Sequence, residues 1–460
     1  MMDFVGRVKE LAGLEKQYES AKFEFSVIYG RRRVGKTWLI QKFIQDRSAI
    51  YYMGIEAGAS SNLQSLSREI HRFTGSEGMA PWQTYEDLFH YLAMISKDRR
   101  IVFVIDEYPY LAASAPEISS LIQKFCDHEW RDSRLHLILC GSSMSFMEHQ
   151  VLGAKSPLYG RSTAQYRLMP FTFFETLDYL APMSKEDSAI IHCATGGIAE
   201  YLSHVDKSKS LEANLISLFF ESSGRLYEEP SNILKQELRE PRVYNDILDA
   251  MAKGSSKSNE IATKVNMQSG AINRYFESLA DLGIIRKEKP IGNESGRKTI
   301  YRIQDGCFRF WYRFVMPNQS AIMSGLGVQV FEKVVKPVIP EFMGQGFEDI
   351  FFDHFDKWNH DGLFPDLVTK RGRWWGNNLL EHREEEIDLV GVGIQMKFFG
   401  EAKWRNEKAG IEVFQSLEKK SRLIESAKRY YIIFSKSGFT ESIVDFSKDR
   451  DDILLFTFLD

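Results

Sequence analysis

Short apolar runs alternate with amphipathic stretches along the first 205 residues. Four runs read as strands: 25–29 (FSVIY), 49–53 (AIYYM), 101–105 (IVFVI) and 135–140 (LHLILC). Each run is continuous, the pattern of parallel strands covered on both faces. Helical periodicity fills the intervals, which predicts an α/β domain. From 171 to 241 the pattern is mostly helical, with a break at Gly196-Gly197. A different unit occupies 242–303. It predicts helices over 243–252, over 258–265 with Ser258 as N-cap, and over 270–282, stopped by Gly283. Two β-prone runs then flank a tip rich in Gly, Asn and Ser. An aromatic stretch, CFRFWYRFV, marks a bridge over 304–339. Residues 340–460 are again α/β, with a helix near 345–358, strands around 387–392 and 395–404, a helix near 409–427 and a strand at 430–434. The predicted domains are therefore 1–170, 171–241, 242–303, 304–339 and 340–460.

Residues 30–37 read GRRRVGKT, directly after the first strand and before a helical WLIQKFIQ. This is the G-x-x-x-x-G-K-[ST] phosphate loop in its strand–loop–helix setting. Gly30 and Gly35 permit backbone conformations that aim amide N–H groups at a phosphate. The helix N-terminus adds partial positive charge. Lys36 reaches the β- and γ-phosphates, and the Thr37 hydroxyl suits Mg²⁺. The third strand ends in Asp106-Glu107. Such a pair is common at strand ends, but the phosphate loop about 70 residues upstream makes it a Walker B motif. Asp106 is then a metal ligand and Glu107 the group that polarises the attacking water. The fourth strand ends in Ser142 and Ser143, and a polar residue there can sense the γ-phosphate.

FVGRVKELAGL at 4–14, GRRRVGKT, DEYPYL and GSSMSFM together resemble the archaeal-type ATPases of the AAA+/STAND class. The resemblance implies a P-loop NTPase with a parallel sheet and a helical lid, with ATP and Mg²⁺ as cofactors. It implies that Gly6-Arg7 lies near the nucleotide. It points to Arg161 as a γ-phosphate-sensing or finger arginine, a role that suits a planar, permanently charged group. The expected nucleotide contacts are Gly30, Arg31, Arg32, Arg33, Val34, Gly35, Lys36, Thr37, Trp38, Asp106, Ser142 and Arg161. The family's lid carries GG-x-P-x-Y-L near the adenine; this chain has GGIAEYL, with Ala199 at the proline position.

The unit at 242–303 reads as a winged helix-turn-helix whose third helix is the recognition helix. Its exposed face would show Gln268, Ser269, Asn273, Arg274 and Ser278, with Ile272, Phe276, Leu279 and Leu282 in the core. The wing carries Arg286, Lys287, Lys289, Arg297 and Lys298. Eleven Lys and Arg against seven Asp and Glu give this unit a surplus of four positive charges. Such charge suits double-stranded DNA, with salt-dependent binding. Winged helices also serve as protein-contact modules.

The C-terminal segment EEEIDLVGVGIQMKFFGEAKW places Asp388 on one strand and Glu401 and Lys403 on the next. Alternation puts Glu401 and Lys403 on one face. Two carboxylates with a lysine suit metal-assisted phosphodiester cleavage. The carboxylates hold Mg²⁺, the metal activates water, and the lysine steadies the phosphate. Glu348, on the preceding helix, is a further metal-ligand candidate. The pattern resembles the PD-(D/E)xK nucleases, with Ile387 at the proline position. The metal set expected across both domains is Thr37, Asp106, Glu348, Asp388 and Glu401. A fold that binds without cleaving is the alternative. The chain then reads as an ATPase whose nucleotide state gates DNA cleavage, or as an ATP-dependent DNA-binding or signalling switch without nuclease activity.

Composition adds limits. The 460 residues are 27% charged and 43% hydrophobic, which excludes disordered, collagen-like and coiled-coil proteins. No run approaches a membrane span, and the first residues do not read as a signal peptide. Four distant cysteines without a C-x-x-C pair suit buried thiols in the cytoplasm. A homo-oligomer is compatible. The net charge of −4 hides a basic middle: residues 340–460 carry 17 basic and 23 acidic groups.

Overall fold

The computed structural model describes residues 5–268, 270–292, 298–378 and 381–459. The expected contacts Ser269 and Arg297 lie outside these. The chain divides into two compact units, one of residues up to Pro170 with Ile198–Glu200, the other of Phe171–Gly197 with Tyr201 onward.

In the first unit, helix α1 (Val8–Glu19) leads into β1 (Glu24–Tyr29), then α2 (Lys36–Ile44), β2 (Ala49–Met53), α3 (Ala59–Thr74) and α4 (Tyr85–Ser96). β3 (Ile101–Asp106), α5 (Tyr108–Ser114), α6 (Ile118–Asp127), β4 (Leu135–Gly141) and β5 (Ala164–Arg167) complete it. All five strands are parallel, in the order β2-β3-β4-β1-β5. β3 and β4 are buried along their whole length, which is why they carry no polar alternation. One face packs Phe25, Phe103, Ile105, Leu137 and Leu139 against Leu66, Leu88, Ile122 and Trp130. The short β5, AQYR, alternates in exposure and escapes the apolar-run criterion.

The second unit opens with α7 (Phe173–Leu180), started by a Thr172–Glu175 capping box, and α8 (Lys185–Thr195). After α9 (Glu229–Glu237) come α10 (Pro241–Ala252), α11 (Ser258–Lys264) and α12 (Asn273–Asp281), then an antiparallel ribbon of β6 (Ile285–Glu288) and β7 (Ile300–Ile303). Ser258, expected as an N-cap, is the first helical residue; Lys257 takes the cap position. The third helix starts at Asn273, later than the expected residue 270. Ile272, Phe276 and Leu279 are buried as expected, and Tyr275 joins them.

The C-terminal part is α13 (Ile339–His360), β8 (Val368–Asn378), β9 (Arg383–Gly393), β10 (Lys397–Lys403), α14 (Ile411–Ser421), β11 (Arg429–Ser435), α15 (Glu441–Lys448) and β12 (Ile453–Thr457). The sheet runs β12-β11-β10-β9-β8, antiparallel over β8–β10 and parallel over β10–β12. α13 covers one face: Phe347 stacks on Phe434 with centroids 4.7 Å apart, and a Cβ on Gly400 would meet Phe351 at 2.6 Å. α14 covers the other through Val413, Phe414 and Leu417 against Phe399 and Ile433. Trp375 is buried and Trp374 packs against this second core. No helix among the described residues is long and apolar enough to cross a membrane. All four cysteines are free and buried.

Candidate active site

Parallel strands bring their carboxyl ends to one edge, where ligands of α/β sheets bind. Register pairs Tyr29 with Gly141 and Met53 with Asp106, so the phosphate loop, Asp106-Glu107 and Ser142 share that edge. A Cβ on Gly30 would stand 2.4 Å from the Leu168 carbonyl, and Gly35 has φ 95°. Only glycine fits both places. Arg33 also takes a positive φ, 72°. The Arg33 carbonyl accepts from Glu200 N (3.2 Å) and the Val34 carbonyl from buried Arg7 (2.9 Å). In trans peptides the following N–H groups, of Val34 and Gly35, point the opposite way. Arg7 also donates to the Met169 carbonyl (2.5 Å). Arg7 and Glu200 therefore brace the loop. Arg32 donates to Tyr110 Oη (3.0 Å), and Trp38 is 57% exposed.

Lys36 is buried, and its Nζ folds onto the carbonyls of Gly30 (2.9 Å) and Arg31 (3.0 Å). Burial lowers its pKa, against the opposing pull of Cys140, Glu107 and Asp106. Asp106 is 1% exposed and fully engaged. Its Oδ2 accepts from Thr37 Oγ1 (3.0 Å) and Tyr51 Oη (2.7 Å); its Oδ1 accepts from Glu107 N (2.9 Å). Glu107 sits at φ 49°, a conformation costly for a residue with a side chain, by about 1–3 kcal/mol. Its carboxylate accepts from the Ser142 hydroxyl (2.5 Å). A hydroxyl and a carboxylate at 3.0 Å are hard oxygen donors that fit Mg²⁺, which usually takes one or two protein ligands plus phosphates.

Arg161 is a correction. β5 pairs in register with β1 from Ser26–Ala164 to Tyr29–Arg167. Arg161 precedes β5, so it lies at the amino edge, on the order of 15 Å from the loop that follows Tyr29. There it forms a bidentate pair with Asp127 (2.9 and 2.7 Å). It is not a residue of this chain's own nucleotide site. Tyr51 was missed by sequence reasoning: nothing in AIYYM marks its hydroxyl as a partner of Asp106.

In the second unit, Asp388, Glu401 and Lys403 do come together. Asp388 Oδ2 accepts from Ala402 N (2.9 Å) and Lys403 Nζ pairs with Glu401 Oε1 (2.6 Å). Lys420 of α14 approaches Glu401 Oε2 at 3.5 Å. Burial, then the charges of Glu401 and Glu348, push the Asp388 carboxyl well up. Burial would lower the Lys403 pKa, but Glu401 and Asp388 raise it. Glu348 bears on Asp388 through its charge and is itself held by arginines. It projects from α13, accepts from Arg373 (2.9 Å) and pairs with Arg302 (3.7 Å). Among the described residues no group of three or more His, Cys, Asp or Glu is arranged to hold a metal ion. The wing residue Arg286 is likewise engaged, with Glu288 and with Asp349 (2.9 Å). Arg274 pairs with Glu240 (3.6 Å) and lies over Tyr275.

The strand order, the phosphate loop after β1 and the acidic pair after β3 define a P-loop ATPase domain. Residues 4–205 match the family described as an ATPase domain predominantly from Archaea, and 311–416 match archaeal and bacterial proteins of unknown function. An uncharacterized protein of Methanocaldococcus jannaschii is 30% identical over 469 residues, covering 98% of each chain. The chain belongs to the family of that protein, and its own residues 4–205 carry the archaeal ATPase domain match. An uncharacterized ATP-binding protein of the same organism is 48% identical over 44 residues, 10% of this chain and 75% of that one. The fold is similar to the Walker-type ATPase of Pyrococcus abyssi, with a TM-score of 0.52 at 19% identity, covering 68% of this chain and 96% of that one.

Proposed function

We propose that this protein hydrolyses ATP at the carboxyl edge of the first sheet. Lys36 binds the β- and γ-phosphates, and Glu107 orients and deprotonates the attacking water once it leaves Ser142. Thr37 and Asp106 would hold Mg²⁺, which supplies charge neutralisation for the phosphates when bound. The carrying observation is the Thr37–Asp106 contact at 3.0 Å, which joins the phosphate loop to the Walker B strand. Phosphate release from ATP in Mg²⁺, against the same protein in a chelator, tests it; equal rates contradict it.

A second reading concerns DNA. The three helices α10–α12 with their ribbon support a winged helix over 242–303, following a helical lid over 171–241. The order helix, three antiparallel strands, helix, parallel strand over α13–β11 resembles the nuclease superfamily. Asp388, Glu401 and Lys403 then supply metal-dependent phosphodiester cleavage, gated by nucleotide. The crowding of Asp388 by Glu401 supports this, since a divalent cation relieves it. Glu348, held by arginines, is left out of the proposed ligand set. Four free, buried thiols support a cytoplasmic location. Cleavage of plasmid DNA in Mg²⁺ or Mn²⁺, abolished by Lys403→Ala, is the expected result. ATP-dependent DNA affinity without cleavage would leave a switch instead.

A further inference from the structure

We propose that Tyr51 is a positioning residue for the metal-binding carboxylate of Asp106; the proposal rests on the Mg²⁺·ATP reading above. Tyr51 lies on the edge strand β2 and pairs in register with Val104. Asp106 is two residues further along β3, so its side chain is on the same face, on the diagonal that a long side chain can reach. The phenol donates to Asp106 Oδ2 at 2.7 Å, and Thr37 Oγ1 donates to the same oxygen at 3.0 Å. These two donors fill both acceptor sites of Oδ2. Oδ1 is fixed by the Glu107 N–H at 2.9 Å.

An aspartate carboxylate otherwise turns easily about its last torsion. The two donors on Oδ2, one from β2 and one from α2, together with the Glu107 N–H on Oδ1, hold it in one orientation. A phenol keeps its proton at neutral pH and so remains a donor there.

The test uses the full chain, Tyr51→Phe and Tyr51→Leu, and two readouts. One is the fluorescence of a ribose-labelled ATP analogue titrated with Mg²⁺; the other is steady-state hydrolysis over the same titration. Tyr51→Phe is expected to raise the half-saturating Mg²⁺ roughly tenfold in both, the scale of one hydrogen bond to a charged group. Metal-free affinity for the analogue should change less than about twofold, and kcat should fall less than the metal requirement rises. Mn²⁺, a tighter binder, should narrow the gap. Tyr51→Leu, which also removes the hydroxyl, should shift the half-point the same way by at least as much. An unchanged half-point in both variants, with wild-type hydrolysis intact, overturns the proposal alone. So does an equal loss of affinity with and without metal, which marks a packing role. A wild type that shows no Mg²⁺-dependent binding or hydrolysis overturns the nucleotide-site reading, and this proposal with it.

Discussion

Arg373 Nε on β8 donates to Glu348 Oε2 on α13 across 2.9 Å. The same guanidinium reaches Asp349 (2.9 Å) and Glu288 (3.1 Å), while Arg302 of the ribbon joins Glu348, Glu288 and Glu386. The ribbon, the long helix and the edge strand are thus tied by one cluster of opposite charges. Burial alone would push Asp349 up, but Arg286, Arg373 and Arg309 pull it far below the usual carboxylate range.

Removing one member leaves buried charge uncompensated, at a cost of about 3–5 kcal/mol. Arg373→Met is therefore expected to lower the melting temperature by roughly 6–15 °C, read by differential scanning fluorimetry. A change of a degree or less would show that the cluster contributes nothing to stability.

Asp353 sets a pH dependence. Burial, and then the charge of Asp349, raise its carboxyl to about 7, although it accepts from Phe173 N at 2.7 Å. A raised carboxylate pKa means that the folded state favours the proton. Its contribution is fully present below about 4 and is lost as pH rises through about 7. The loss is about 2–4 kcal/mol at most. Melting temperatures at pH 5 and pH 8 should differ less in Asp353→Asn than in the wild type; an equal difference contradicts the assignment.

Glu107 is expected to separate hydrolysis from binding. Glu107→Gln keeps the shape and a hydrogen bond to Ser142 but cannot take a proton. Hydrolysis should fall by about 10²–10⁴, the usual range for a general base, with ATP affinity retained. Stopped hydrolysis with affinity lost as well would place Glu107 among the binding groups.

The ribbon offers a discriminating pair. Lys287 is exposed, whereas Arg286 pairs with Asp349. If the winged-helix reading holds, Lys287→Ala weakens duplex binding and reduces the salt slope by about 1. Arg286→Ala should mainly lower thermal stability. Equal effects of the two on DNA affinity would mean that Arg286 leaves its cluster to bind phosphate. Gel-shift titrations at two salt concentrations read this.

Local chemistry was legible and tertiary partnership was not. FSVIY, IVFVI and LHLILC announced β1, β3 and β4 because strands buried on both faces must be apolar throughout. GRRRVGKT announced its loop because only glycine meets the demands at residues 30 and 35. The strand AQYR was invisible, since a four-residue edge strand needs no apolar run. β8 escaped for a similar reason: VTKRGRWWGNN is long but charged and glycine-bearing. Arg161 was misplaced because sequence shows an arginine after a glycine, while the register of β5 decides which end of the sheet it occupies. Glu348 acts on Asp388 through its charge, but its arginine partners Arg373 and Arg302, distant in sequence, carry no signal in the motif. Tyr51 carried no signal because its role depends on a diagonal across two strands.

The central claim is that the loop at residues 30–37 and the Asp106-Glu107 pair form an ATP-hydrolysing site. Its most direct test is phosphate release by the full chain and by Lys36→Ala at saturating Mg²⁺ and ATP. The account predicts measurable hydrolysis by the wild type and loss of at least about 100-fold in the variant. Equal rates in the two proteins would contradict it.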